Sequence, residues 1–411
     1  MRSSIVLASL LFASAGLLSQ DARAGDWPQI LGPARDGHAQ DEKLAATWPE
    51  AGPPKLWDRP VGQGYAGVAV AAGRVYLFHR QGDQEVLECL AADSGAPVWK
   101  ASFAADYSGG IDADKGPRCV PLVAGQQVVV LGAGGGLRCL AIADGGVRWQ
   151  RDLREEFQAD EGYFGFGSTP LAVGARLLVN VGGKRGAGIV AFSLADGRTL
   201  WQATDDDASY SSPTLARIDG QPLAIFATRL NAVGIVPESG AVAFRFPFGQ
   251  RGPTVTAATP LVFENQAFFT ASYGVGALLA AVARGEATTV WESGDSLSSQ
   301  YPTPIYHDGH LYGVDGREDQ GRASFRCVEA ATGKVTWSEE NFGMAHAILA
   351  DGKLIVQKVS GELLLVDPTP AGFRPLEQAK AIKTQARALP ALSDGRLYMR
   401  DGWKLSCFDL R

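Results

Sequence analysis

The chain has 411 residues, 38 Lys and Arg against 44 Asp and Glu, 46% apolar residues and 50 glycines. A net charge of −6 with interspersed signs excludes a nucleic-acid binder, which needs a basic stripe. The apolar share excludes a disordered chain and, with so much glycine, points to a packed, turn-rich β protein.

Residues 1–24 read as a signal peptide: Arg2 supplies a positive start, residues 5–18 are apolar but too short to span a bilayer, and Ala22-Arg-Ala24 forms an A-x-A cleavage site before Gly25. Cleavage near Ala24 predicts a periplasmic or secreted protein. It removes two basic residues and one acid, leaving 36 basic against 43 acidic and a net charge of −7. With no Cys after the apolar run and no later apolar stretch of membrane length, neither a lipid anchor nor a membrane span is expected. Residues 25–54, rich in Gly, Pro and Asp, read as a strap that packs Trp27 on the domain that follows. His38, within the strap, is assigned no function.

Residues 55–411 form one repeating domain. Its unit is Leu87-Glu-Cys-Leu-Ala-Ala-Asp-Ser-Gly-Ala-Pro-Val-Trp99, with relatives ending at Trp149, Trp201 and Trp337, and in each a Gly precedes the Trp by four positions: Gly95, Gly145, Gly197 and Gly333. An alternating strand, a turn whose Gly supplies a positive φ and a short strand ending in an aromatic make a β-hairpin. The Trp residues at 57, 99, 149, 201, 291 and 337 leave one double gap, in which Gly240 and Phe244 mark a degenerate unit. A further unit fits at Phe373.

This spacing suits a four-stranded propeller blade of roughly 40–50 residues. In the first blade the strands fall at 67–71, 74–79, 85–90 and 97–101. Outer strands counted by their aromatics number eight. The C-terminal piece 387–411 has an inner strand near 388–392, a second at 396–399 and a third at 405–410 but no outer strand, whereas 55–58 has an outer strand and nothing before it. Joined, they make a composite eighth blade that removes the exposed edges of an open array. The fold class is all-β, an eight-bladed β-propeller.

Cys89, Cys139 and Cys327 each lie ten residues before their Trp, and Cys407 holds the matching place in the closing blade. Equivalent positions in different blades are too far apart for the ~4.4–6.8 Å Cα separation of a disulfide, so these cysteines read as small buried hydrophobes. Cys119, at the start of an inner strand, is left as a free thiol.

Long connections from an outer strand to the next inner strand at 104–118, 154–167, 203–212 and 248–258 emerge on one face and converge on the channel, where binding groups collect on a rigid ring. The ligand-binding candidates are Arg118, Tyr163, Tyr210, Arg251 and Tyr301. Arg118 suits a carboxylate, and tyrosines suit stacking and hydrogen bonds. No catalytic residue is assigned. Asp205-Asp-Asp207 and the Asp112/Asp114 pair lack the 6–8 oxygen ligands and known spacings of a Ca²⁺ loop, and His307 and His310 flank an Asp-Gly turn without zinc partners, so no metal is assigned. Hydrolase elbows, P-loops and His-Glu-x-x-His are absent.

The Ala-x-Asp-x-x-Gly-x-x-x-Trp hairpin resembles the pyrroloquinoline-quinone (PQQ) propeller repeats over the whole mature chain. More narrowly, Trp27-Pro-Gln-x-x-Gly-Pro, Gly116-Pro-Arg118, Tyr210-Ser-Ser-Pro213, Ser272-Tyr-Gly-Val-Gly276 and the ending Cys407-Phe-Asp-Leu-Arg411 look like secreted PQQ-binding-like propellers of planctomycete-type bacteria. Two related groups imply different functions. Quinoprotein dehydrogenases use PQQ and Ca²⁺ with a carboxylate base, but this chain lacks their vicinal Cys-Cys pair and haem-attachment Cys-x-x-Cys-His. The BamB scaffold proteins bind protein and do no chemistry, and this chain lacks their lipobox Cys. The expectation is a non-catalytic binding or protein-interaction scaffold of the cell envelope without a cofactor, monomeric, with an envelope protein as partner. The alternative is a PQQ-dependent oxidoreductase with Ca²⁺ and a divergent pocket. Fold alone does not choose between them.

Overall fold

A computed structural model describes residues 25–411 apart from 219, 253 and 284. Residues 1–24, read from the sequence as a signal peptide, lie outside the described residues. The described strands form eight antiparallel four-stranded sheets. Blade I comprises Val68–Ala71, Arg74–Gln81, Gln84–Ala91 and Pro97–Ala104. Blades II to VII follow in chain order. Blade VIII is the composite: Ala391–Ser393, Arg396–Arg400 and Lys404–Asp409, with Lys55–Pro60 as its outer strand in a register that sets Trp57 opposite Cys407. Its inner strand starts three residues later than the sequence suggests.

The repeat motif is a joint between blades. On its own sheet the Trp faces a third-strand residue, ten positions earlier in the pairs Trp99↔Cys89, Trp149↔Cys139 and Trp337↔Cys327 and twelve earlier in Trp291↔Leu279. Except at Trp337, whose ring meets no glycine of the next turn, its ring covers the hairpin glycine of the next blade. At Gly95, with φ +67°, a Cβ would sit 2.7 Å from the Trp57 ring, and Gly145, Gly197, Gly240 and Gly333 meet the Trp of their preceding blade in the same way. Each indole N–H then donates to a carbonyl of that next turn: Trp57 to Ala92 at 3.1 Å, Trp99 to Ile142 at 2.8 Å, Trp149 to Leu194 at 2.9 Å. A buried indole donor needs such a partner. The glycine therefore serves twice, as turn former and as a seat for the neighbour's ring.

Two further joints depart from this pattern. In blade IV the position belongs to Phe244, whose ring has no N–H donor and stacks on Phe246 at 5.7 Å. In blade VII, Phe373 does not lie on an outer strand, contrary to the sequence reading. It precedes the strand Pro375–Lys380, in which Glu377 faces Leu365. Pro368 and Pro370 lengthen this turn, and Phe373 instead packs under Trp337 with centroids 5.9 Å apart.

All five cysteines are buried and unpaired. Cys119 lies just before the inner strand Leu122–Ala124 rather than on it, and burial pushes its thiol up to about 11.

The strap closes the channel at the end where inner and second strands turn. Trp27 is 2% exposed and pairs with Val70 through two bonds of 2.7 and 2.8 Å. His38 pairs with Leu349 and contacts the Tyr306 carbonyl at 2.9 Å, a structural role. Between them Arg35, fully buried, donates to the carbonyls of Thr169 (3.2 Å), Pro213 (2.7 Å) and Pro170, and to Gln29 Oε1 (2.8 Å). Burial pushes its guanidinium down to about 9, so it remains charged at neutral pH. Glu42 then accepts from the Asp394 and Gly395 amides of blade VIII. One short segment thus ties both sides of the composite joint.

Candidate functional site

The opposite end of the channel is built from the outer-to-inner connections and the turns between second and third strands. Prolines at the inner-strand entries, such as Pro170, Pro213 and Pro304, hold these segments extended, so side chains just before them are carried toward the mouth.

Arg118, Tyr163 and Tyr210 come together on one side. Gly167 touches both Arg118 and Tyr210, with an added Cβ 3.3 Å from each. The Tyr210 hydroxyl accepts from the Tyr163 and Phe164 amides at 2.9 and 3.1 Å, fixing the connection that carries exposed Tyr163. Arg118 donates to the Asp114 carbonyl at 2.6 Å and to the Gly116 carbonyl, is paired with the Asp114 carboxylate at 3.4 Å, and lies over the rings of Tyr65 (5.3 Å) and Tyr107 (5.7 Å).

Tyr301 lies across the mouth and joins this group through residues that sequence reasoning did not single out. Its hydroxyl donates to Glu318 Oε2 at 3.0 Å, Glu318 Oε1 accepts from Arg387 Nε at 2.9 Å, and Arg387 Nη1 donates to the Tyr65 oxygen at 3.0 Å. The Tyr65 hydroxyl in turn donates to Asp112 Oδ2 at 3.0 Å. The chain Tyr301–Glu318–Arg387–Tyr65–Asp112 therefore crosses from blade VI to the connection entering blade II. Burial, then the Asp112 charge, push Tyr65 up to about 12. Burial and Glu318 push Tyr301 well above the usual tyrosine range, so both stay protonated donors at neutral pH. Arg387 is raised chiefly by Glu318, against its own burial. Beneath them His346 is held neutral, pushed down to about 4 by burial, with Nε2 2.9 Å from the Arg387 carbonyl.

Arg251 is exposed on the 248–258 connection and is not drawn into this network. Tyr65 and Arg387 lie on connections of the same kind as the four selected from sequence, at 61–66 and 381–390, and the same rule extended to them would have found both. Glu318 sits in a second-to-third-strand turn, Arg317–Arg322, for which the repeat gives no signal. Among the described residues no group of three or more His, Cys, Asp or Glu is arranged to hold a metal ion, and no helix is long and apolar enough to cross a membrane.

A sequence profile described as outer membrane protein assembly factor BamB matches residues 40–160 and 82–339. No curated protein sequence matches the chain. Among solved structures, BamB from Moraxella catarrhalis is 15% identical with a TM-score of 0.62, the match covering 87% of this chain and 98% of that one. Quinohemoprotein alcohol dehydrogenase from Comamonas testosteroni is 12% identical with a TM-score of 0.67, covering 95% and 81%. Quinohemoprotein alcohol dehydrogenase ADHIIG from Pseudomonas putida HK5 is 11% identical with a TM-score of 0.60, covering 96% and 81%. At these identities the likeness is one of fold, a PQQ-type propeller common to a BamB protein and to dehydrogenases.

Proposed function

We propose, for a chain that belongs to the family described as outer membrane protein assembly factor BamB, that it is an exported, non-catalytic binding scaffold of the cell envelope. The face around the channel mouth is its partner surface. The observation that carries this reading is the cross-mouth network: the polar groups a catalytic centre would need are engaged with one another. Glu318 takes two donors, Asp112 accepts from Tyr65 and from the Asp114 amide, and Arg118 is committed to Asp114 and Gly116. Two of the outward side chains are apolar and adjacent: Ile111, 63% exposed, and Tyr163, 39% exposed, joined by an amide-to-carbonyl bond of 3.2 Å. Rigid, partly aromatic patches of this kind suit protein contacts.

The alternative is PQQ chemistry with Ca²⁺, which would supply an electron-accepting quinone and a Lewis acid. As arranged, the mouth residues fit that pair poorly. The cations nearest the network, Arg118 and Arg387, are already ion-paired, and Asp112, Asp114 and Glu318 are hydrogen-bonded to neighbours.

A photo-crosslinking amino acid placed at Ile111 or Tyr163 in the native host tests the reading. Discrete protein adducts from these positions and none from exposed Lys43, on the strap face, are expected. Equal labelling from Lys43, or no adduct from the mouth, would overturn it.

A further inference from the structure

Beside the mouth, between the 61–66 connection and blade VIII, lies a cavity of about 300 Å³ walled by Tyr65, Asp114, Gln385, Arg387, Asp401 and Trp403. Trp403 stands at its rim, 72% exposed, the most open of the large hydrophobic side chains. The turn that carries it is held on every side. Asp401 Oδ1 accepts from the Trp403 and Lys404 amides at 2.7 and 2.6 Å, the Asp401 amide donates to the Lys404 carbonyl at 3.0 Å, and the Trp403 carbonyl accepts from Val61 at 2.8 Å. An aromatic plate on a fixed turn is a preorganised contact, which keeps the ordering cost of binding low.

The walls decide what the plate receives. Two guanidinium groups, Arg387 and Arg400, face two carboxylates, Asp114 and Asp401, so the charges balance and neither an anion nor a cation is favoured. Donors and acceptors are both on offer. Arg400 is 1% exposed and its Nε has no partner among the described residues, while the exposed Gln385 amide both donates and accepts. A hydroxyl also does both. The ligand that presents an apolar face to an aromatic plate and a rim of hydroxyls to such walls is a pyranose ring.

We infer that this cavity binds a neutral saccharide, one or two rings in size, stacked on Trp403. The volume lies at the lower end of the range of about 300–1,000 Å³ for ligand pockets. The two carboxylates do not form a hydrolytic pair. Asp114 is occupied by the Gly64 and Gly116 amides and Arg118, and Asp401 by its own turn and the Thr384 hydroxyl, so they orient walls and accept hydroxyls. The site is separate from the apolar Ile111 and Tyr163 patch and does not depend on a protein partner there.

The test titrates residues 25–411 with glucose, cellobiose, maltose, lactose and diacetylchitobiose, read by calorimetry and tryptophan fluorescence. Saturation in the range of about 1 mM by at least one neutral sugar is expected, weakened at least about tenfold by Trp403→Ala and by Gln385→Ala. Trp403 is exposed, so its loss leaves the fold intact, and crosslinking from Ile111 is expected to be unchanged in that variant. No saturation by any of these sugars, equal affinity in Trp403→Ala, or tighter binding of inorganic phosphate or tetramethylammonium than of every sugar would overturn the inference.

Discussion

Arg35→Met is the substitution whose cost can be worked most fully from the geometry. The side chain keeps an unbranched apolar stem, ends short of the guanidinium and loses four hydrogen bonds, to Gln29, Thr169, Pro170 and Pro213. Bonds made by a charged donor contribute about 1.5–3 kcal/mol each, a gross loss of roughly 6–12 kcal/mol. Against this stands relief from burying the charge. The guanidinium is pushed from 12.5 to about 9, and at 1.36 kcal/mol per pKa unit that relief is about 5 kcal/mol. A net destabilisation of about 1–7 kcal/mol, centred near 4, is expected, felt first where the strap pairs with blade I. Native-state hydrogen exchange at the Trp27 and Val70 amides, which bond each other's carbonyls, reads it locally, and urea unfolding reads it globally. Arg35→Lys should recover part of the loss, because an ammonium cannot span three carbonyls with a planar fork. Met at this position with unchanged protection at both amides and stability within about 1 kcal/mol of the parent would refute the claim that the buried guanidinium anchors the strap.

Two other predictions concern the mouth. His346 is pushed down from 6.5 to about 4, so the unfolded chain takes up its proton at a higher pH than the fold does. Its contribution is complete above about pH 6.5 and is lost as pH falls toward 4, by about 3 kcal/mol. His346→Gln should flatten that part of the urea-midpoint profile, and an unchanged slope would contradict the burial argument. Tyr210→Phe removes the acceptor of two amides, costs about 1–2 kcal/mol, and should speed exchange at Tyr163 and Phe164 by about tenfold or more while leaving blade-core amides untouched.

The architecture was legible because each joint repeats one local instruction. A Gly in a hairpin turn and an aromatic four residues later specify both the turn and the seat for the preceding blade's ring, and the half-motifs at Trp57 and Cys407 specified closure. Phe373 misled because a turn containing Pro368 and Pro370 moved the strand start past it, which spacing alone does not register. The mouth was only half legible. Arg118, Tyr163 and Tyr210 lie on connections whose length marks them, but the partners joining Tyr301 to them are remote in sequence. Tyr65 and Arg387 are 322 positions apart, a contact that only the closed ring creates. The same holds for Arg35, whose carbonyl partners come from two blades on the far side of the channel.

The measurement that tests the central claim most directly is a titration of residues 25–411 with PQQ, with and without Ca²⁺, followed by absorbance together with dye-linked oxidation of a panel of alcohols and sugars. A binding scaffold whose mouth groups are already engaged predicts no saturable change and no dye reduction. Saturable PQQ binding with Ca²⁺-dependent dye reduction, weakened by Arg118→Ala, would contradict that account and make the mouth an oxidoreductase centre.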